Sequence, residues 1–240
     1  MTRSRPTMAG TEPLWCVVPA AGRGQRFGAD IPKQYLPLGG RPMLIRTLER
    51  LAACAEIGGL MVVLASDDDA WPGINDIAGK PVLTAQGAAE RSGSVLAGLR
   101  ALPASVGVGD FVMVHDAARP CIAAADIARL VALGVPAGGA LLAAPVRDTL
   151  KRGDADARVA ATEPREKLWR ALTPQMFRRG ELIRALEAAE ASGIAITDES
   201  MAMERAGHKP LLVEGAEDNI KVTTPADLAL AAYLLNRSES

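Results

Sequence analysis

The chain has 240 residues, 27 basic and 28 acidic side chains and a net charge of −1. That length suits one large α/β domain with a substantial core. The near-zero charge gives no general pull toward nucleic acid or an anionic membrane, so any anion site must gather its cations locally. No apolar run is long enough to cross a bilayer.

Residues 1–13 are polar, rich in Thr, Arg and Pro, and lack the apolar middle of a secretory signal. They read as a disordered lead-in to one domain over 14–240. Leu14-Trp15-Cys16-Val17-Val18 reads as a buried strand opening into a small-residue loop. A helix follows near Arg41-Pro42, with Ile45, Leu48, Leu51 and Ala52 on one face. Strands are expected at 60–65 and around Val82, then a helix capped by Ser92 or Ser94. The run 111–114 is a further strand, ending at His115-Asp116. A helix over 126–133 and a strand over 140–146 complete an alternation that implies a mainly parallel sheet covered on both faces.

The pattern breaks at 147–167, which is charged and weakly periodic. A surface loop is one reading and a projecting two-stranded arm, turning at Gly153-Asp154, is the other. Beyond it come helices over 180–191 and from Asp198, short strands at 210–213 and 219–222, and a last helix from Pro225 to about Leu235. The cysteines Cys16, Cys54 and Cys121 are widely spaced within or beside apolar stretches, as buried reduced thiols would be. They fit a reducing, cytoplasmic setting.

Chemistry concentrates at four places. The loop from Pro19 to Gly28 follows the first strand, where open α/β sheets bind ligands, and its small residues let backbone amides approach phosphate. It lacks the Gly-Lys-Ser/Thr of a Walker A loop. Its Gly24-to-Gly28 spacing, with Ile31-Pro32 beyond, does not fit the dinucleotide fingerprint. Arg26 and Lys33 supply fixed positive charge suited to an α-phosphate undergoing substitution, although either alone reads as a surface charge. Asp116 ends an apolar strand at the same sheet edge and can hold Mg²⁺ or cap the next helix. Lys221, at the end of the 219–222 segment, can pair with an attacking phosphate or stand as a surface lysine. His115 reads as structural, because a phosphate monoester needs no general base, and His208 as a surface residue.

These motifs occur together with others in a fixed order: VVPAAGRGQRFG, PKQYLPLGG, ERSGSVLAGL, VMVHDAARP, LAAPVRDTLKR, LWRALTPQMF, ITDES and DNIKVTTPADLALA. Over roughly residues 14–236 the chain resembles the 2-C-methyl-D-erythritol 4-phosphate cytidylyltransferases of the non-mevalonate isoprenoid pathway. The resemblance implies a Rossmann-like nucleotidyltransferase fold and a homodimer whose 147–167 arms cross between subunits. It implies transfer of CMP from CTP to methylerythritol phosphate with Mg²⁺, with no nucleic-acid or membrane partner. It implies that Ala20, Ala21, Gly22, Gly24, Gly87, Ser94 and Ala117 line the nucleotide site. Arg26 and Lys33 would stabilise the pentacoordinate α-phosphorus, and Asp116 would bind metal and a substrate hydroxyl. Lys221, the partner's Arg165, Arg119, Thr149, Thr173 and Thr197 would hold the acceptor.

The family often has Gly-Asp where this chain has Ala88-Ala89, which leaves backbone groups to read the base. A cytidylyltransferase for another polyol phosphate, such as ribitol 5-phosphate, a sugar-1-phosphate nucleotidyltransferase and a non-catalytic nucleotide-binding regulator are the rival readings.

Overall fold

The computed structural model describes residues 13–22 and 31–239. Residues 1–12 of the expected 1–13 lead-in, residues 23–30, including Gly24 and Arg26, and Ser240 lie outside the described residues. In chain order the strands of the main sheet are β1 (Leu14–Pro19), β4 (Ile57–Leu64), β5 (Asp76–Ile77), β6 (Lys80–Gln86), β7 (Phe111–Val114), β8 (Gly139–Pro145), β11 (Trp169–Arg178) and β12 (Leu211–Glu214). Two short strands, β2 (Pro37–Leu38) and β3 (Arg41–Pro42), form a separate ribbon ahead of the first helix.

The spatial order is β12-β8-β11-β7-β1-β4-β6-β5. β1 pairs in parallel with β4 and β7, β4 with β6, and β8 with β12. β11 runs antiparallel to both β7 and β8. Continuous apolar runs such as LMVVL in β4 form strands buried on both faces, the pattern a helix-covered sheet requires.

Helices α1 (Met43–Ala52) and α3 (Ala124–Ala137) pack on one face, where Leu44, Leu48, Ile127 and Leu130 join the core. Helices α2 (Arg91–Ala101), α4 (Arg179–Ala191) and α5 (Glu199–Arg205) cover the other through Leu96, Leu99, Leu186 and Met203. Helix α6 (Pro225–Glu239) closes a third cluster with Leu38, Met43 and Val222. α3 ends at Gly138, whose φ of +79° is the left-handed turn that favours glycine at a helix end.

The 147–167 segment contains a two-stranded ribbon separate from the main sheet, the pairing that the arm reading expects. Strands β9 (Leu150–Gly153) and β10 (Val159–Glu163) pair antiparallel, and Asp154 receives the backbone bonds that close the turn.

Three local expectations are corrected. Neither Ser92 nor Ser94 caps α2; Glu90 holds the N-cap position, and Ser94 lies inside the helix with its hydroxyl turned back on residues 88 and 90. Residues 219–222 form no strand, because Val222 donates to the Ala118 carbonyl in a loop instead of joining a ladder. Asp116 caps no helix; α3 starts from Ala123. The three described thiols are buried and free, and burial pushes Cys54 and Cys121 up to about 11.

Candidate active site

The sheet directions decide what meets at its edge. β1, β4, β6 and β7 end together, so residues 20–22, 65–67, 87–91 and 115–116 emerge side by side. β12 runs the same way, and the loop after it carries Lys221 to that edge. The register between β8 and β11 shifts between Ala171 and Gln175, taking Thr173 out of the ladder and placing it against His115 and Asp116.

Asp116 is the centre. Arg91 donates from Nε to Oδ1 at 3.0 Å, and Lys221 Nζ lies 2.9 Å from Oδ2. Arg119 Nε is 3.5 Å from Oδ2 and has no hydrogen-bond partner there. The carboxylate is buried, which alone would raise its pKa. Arg91, Lys221 and Arg119 outweigh burial and hold it well below the usual carboxylate range.

Each cation is itself held. Arg119 donates to the carbonyl of Asn219 at 2.7 Å, and the Asn219 amide donates to the carbonyl of Thr173 at 2.7 Å. Lys33 Nζ donates to the carbonyl of Val222 at 2.9 Å, next to Lys221. Asp227 in the first turn of α6 accepts from the Thr223 hydroxyl and from the amides of Thr223 and Thr224. Those bonds pull its carboxyl down to about 2 and pin the loop that presents Lys221.

His115 is wholly buried. Its Nε2 faces the Arg119 carbonyl at 3.0 Å, so that nitrogen carries the proton. The Thr173 hydroxyl then donates to Nδ1 at 3.0 Å and accepts from the Asp116 amide at 3.1 Å. Burial lowers the His115 pKa to about 4, which keeps the ring neutral.

Two cavities share Arg91 and Lys221. The larger, about 920 Å³, is walled by Ala21, Gly22, Lys33, Gly87 and residues 65–67. The smaller, about 230 Å³, is lined by Asp116, Arg119, Thr173 and Thr197. A third, of about 450 Å³, touches Ala88 and Glu90 from the side of α4 and contains none of the candidate cations. Gly87 must be glycine: an added Cβ would stand 2.6 Å from the Ala21 Cβ and 2.9 Å from Ser94 Oγ.

The structure therefore brings Ala21, Gly22, Lys33, Gly87, Asp116, Arg119, Thr173, Thr197 and Lys221 to one cleft. Ala20 and Ala117 lie buried behind it, their carbonyls taken by Gln34 and Thr47. Ser94 is buried too, and its hydroxyl holds the turn at Ala88 rather than facing the cavity. Thr149 and Arg165 sit exposed at the arm's base, outside both cavities, where Arg165 bonds the Arg147 carbonyl.

Three contributors escaped the sequence reading: Arg91, Glu199 and Asn219. Arg91 offered a signal, a cation directly after the Gly87 turn at the start of α2. Glu199 and Asn219 are recognisable only through partners distant in the chain.

A sequence model described as IspD, 2-C-methyl-D-erythritol 4-phosphate cytidylyltransferase, matches residues 14–237. A protein of that description from Stenotrophomonas maltophilia strain K279a is 60% identical over 225 residues, covering 93% of this chain and 97% of the relative. One from Xanthomonas euvesicatoria pv. vesicatoria strain 85-10 is 59% identical over 229 residues, covering 95% and 87%. Among solved structures, a 4-diphosphocytidyl-2C-methyl-D-erythritol synthase superposes with a TM-score of 0.81 at 32% identity, covering 94% and 99% of the two chains. The Francisella tularensis cytidylyltransferase superposes with a TM-score of 0.79 at 29% identity, covering 93% and 100%.

Proposed function

The chain belongs to the 2-C-methyl-D-erythritol 4-phosphate cytidylyltransferase family, and from that membership we propose how its cleft carries the reaction. It is an α/β nucleotidyltransferase that moves CMP from CTP to 2-C-methyl-D-erythritol 4-phosphate, giving 4-diphosphocytidyl-2-C-methyl-D-erythritol and pyrophosphate. One observation carries the assignment of roles. Arg91 and Lys221, which line both cavities, converge with Arg119 on Asp116 in the smaller one, and Lys33 is tied to the loop of Lys221.

CTP occupies the larger cavity, with its phosphates against the backbone of residues 20–22 and its base near Gly87. The acceptor occupies the smaller cavity between Arg119, Thr173, Thr197 and Lys221. Its phosphate is already an anionic nucleophile, so the step is a direct in-line attack on the α-phosphorus, with positioning and charge stabilisation as the catalytic terms. Lys33, together with Arg26, offsets the charge that moves as pyrophosphate leaves. His115 takes no part as a base, and its buried, neutral, doubly bonded ring supports that reading.

Asp116 is the residue that would hold Mg²⁺. A single hard carboxylate at the cleft fits an ion that takes its other ligands from triphosphate oxygens and water. Among the described residues there is no cluster of three or more His, Cys, Asp or Glu to hold a resident metal. Held there, the ion would supply positive charge that offsets the negative charge of the phosphates.

Arg165 and Thr149 would act in trans, from the partner's arm in a homodimer. Their position outside their own subunit's cavities supports that assignment. We assign the chain a single domain with the arm as an excursion, and a cytoplasmic setting that fits its three buried thiols.

The test is a pyrophosphate-release assay that crosses CTP, UTP, ATP and GTP with methylerythritol phosphate and ribitol 5-phosphate. The expected result is release with CTP and methylerythritol phosphate well above every other pair. Equal or faster release with ribitol 5-phosphate would overturn the acceptor assignment. Nucleotide binding without release for any pair would favour a non-catalytic regulator.

A further inference from the structure

Glu199 opens α5 and is 1% exposed at its side chain. A carboxylate so far from water needs a charged partner. It has one: Arg91 reaches across from the start of α2 and grips both oxygens, Nη1 to Oε1 at 2.7 Å and Nη2 to Oε2 at 3.2 Å. Buried pairs of this kind often serve only to tie elements together, here α5 to α2. The other edge of the same guanidinium argues for more. Nε donates to Asp116 Oδ1 at 3.0 Å, and Nη2 lies 2.9 Å from that oxygen. A planar, rigid fork pinned on one edge has little freedom left on the other.

The shared guanidinium also sets charge. Two carboxylates compete for one cation, so Arg91 cannot neutralise Asp116 alone. Asp116 keeps enough negative charge to hold Lys221 and Arg119 at the junction of the cavities. The same bond keeps Arg91 from turning its full charge into the larger cavity, which it also lines.

We infer that Glu199 is a positioning residue for nucleotidyl transfer: it fixes Arg91, and Arg91 in turn orients Asp116 between the two substrates. The inference rests on the cytidylyltransferase reading of this cleft. It separates from a purely structural role because it requires Glu199 to act only through Arg91.

The experiment measures kcat and KM for both substrates in the parent, Glu199→Gln, Arg91→Lys and the double variant, with thermal unfolding of each. Lysine keeps the charge at 91 but lacks the fork that bridges two carboxylates. Glu199→Gln should remain folded, lower kcat about tenfold or more, and leave the KM for CTP within about threefold. Adding it to Arg91→Lys should cost no more than about a further twofold, the signature of two residues acting as one unit.

A folded Glu199→Gln with kcat within about twofold of the parent would overturn the inference, as would losses that multiply in the double variant. If Glu199→Gln does not fold, Glu199→Asp keeps the charge but withdraws the carboxylate, and the same criteria apply to it. If neither folds, Glu199 is a stability element and the inference fails. A parent that releases no pyrophosphate from CTP and methylerythritol phosphate would instead refute the underlying reading.

Discussion

The two lobes of the cleft are built by different means. The larger combines room with charge: Ala21, Gly22 and Gly87 present little beyond backbone, beside Lys33, Asp67 and Glu90. The smaller is made of fixed charge, with Asp116 and Arg119 buried and a third and fourth charge, Lys221 and Arg91, shared with its neighbour. On the proposed assignment, the nucleotide would meet space and small residues beside Lys33, whereas the acceptor would meet charges already oriented by their partners. Both lobes should be damaged by removing a charge, and the larger also by adding an atom.

The sharpest way to break that contrast is Asp116→Asn. It leaves Arg91, Lys221 and Arg119 without their shared negative charge and puts an NH2 donor among them, and kcat/KM should fall about 10³-fold. Removing one member of a buried ionic group also costs stability, about 3 kcal/mol. Steady-state kinetics and thermal unfolding would register both losses. A variant within tenfold of the parent would show that the carboxylate does not organise the lobe.

Lys33→Ala should cost about 10²-fold in kcat, the scale of one transition-state donor, and little stability, because Lys33 is only half-buried. It also allows a test of the arm. Lys33→Ala subunits mixed with Arg165→Ala subunits should recover roughly a quarter of parent activity if the arm serves the partner, since half the random dimers are mixed and each has one intact site. No recovery in verified mixed dimers would assign Arg165 to its own subunit.

A steric change in the larger lobe should have a smaller effect, confined to one substrate. Gly87→Ala forces its new Cβ against Ala21 and Ser94, and KM for CTP should rise about tenfold while KM for the acceptor stays near its parent value. Equal changes in both would mean that the lobes are not independent.

The two lobes also differed in how far the sequence revealed them. The roomy one follows from local signals: an apolar strand, then small residues at the edge where parallel strands end. Asp116 was legible by the same rule, whereas the residues of 147–167 left a loop and a two-stranded arm both open, and the paired strands are seen only in the structure. The resemblance named most of the lining of the charged lobe, Asp116, Arg119, Thr173, Thr197 and Lys221, but not the bonds that join it, because those partners come from far apart. Arg91 and Glu199 are 108 positions apart, and Arg119 meets the Asn219 carbonyl across 100. Nothing local marks Thr173 either; it reaches His115 only because β11 runs against its neighbours and slips register there. The 219–222 segment misled for a related reason. Its alternating side chains resemble a strand, but the amide of Val222 is claimed by Ala118 and its carbonyl by Lys33.

The smallest effect concerns stability rather than rate, and it tests whether the floor of the charged lobe is as rigid as its bonds imply. His115 has its folded pKa lowered to about 4, against an ordinary value of 6.5. Below pH 6.5 the unfolded chain takes up a proton that the folded chain refuses, so stability is full above pH 6.5 and falls as the pH drops toward 4. The shift corresponds to about 3 kcal/mol when complete, and roughly half should already be lost by pH 5.3. Denaturant unfolding at pH 7, 6 and 5.3 would measure it, and His115→Asn, though less stable throughout, should show a flatter dependence across that window. An unchanged slope in the variant would mean that the Thr173–His115–Arg119 chain opens readily, and that Asp116 is held by its cations alone.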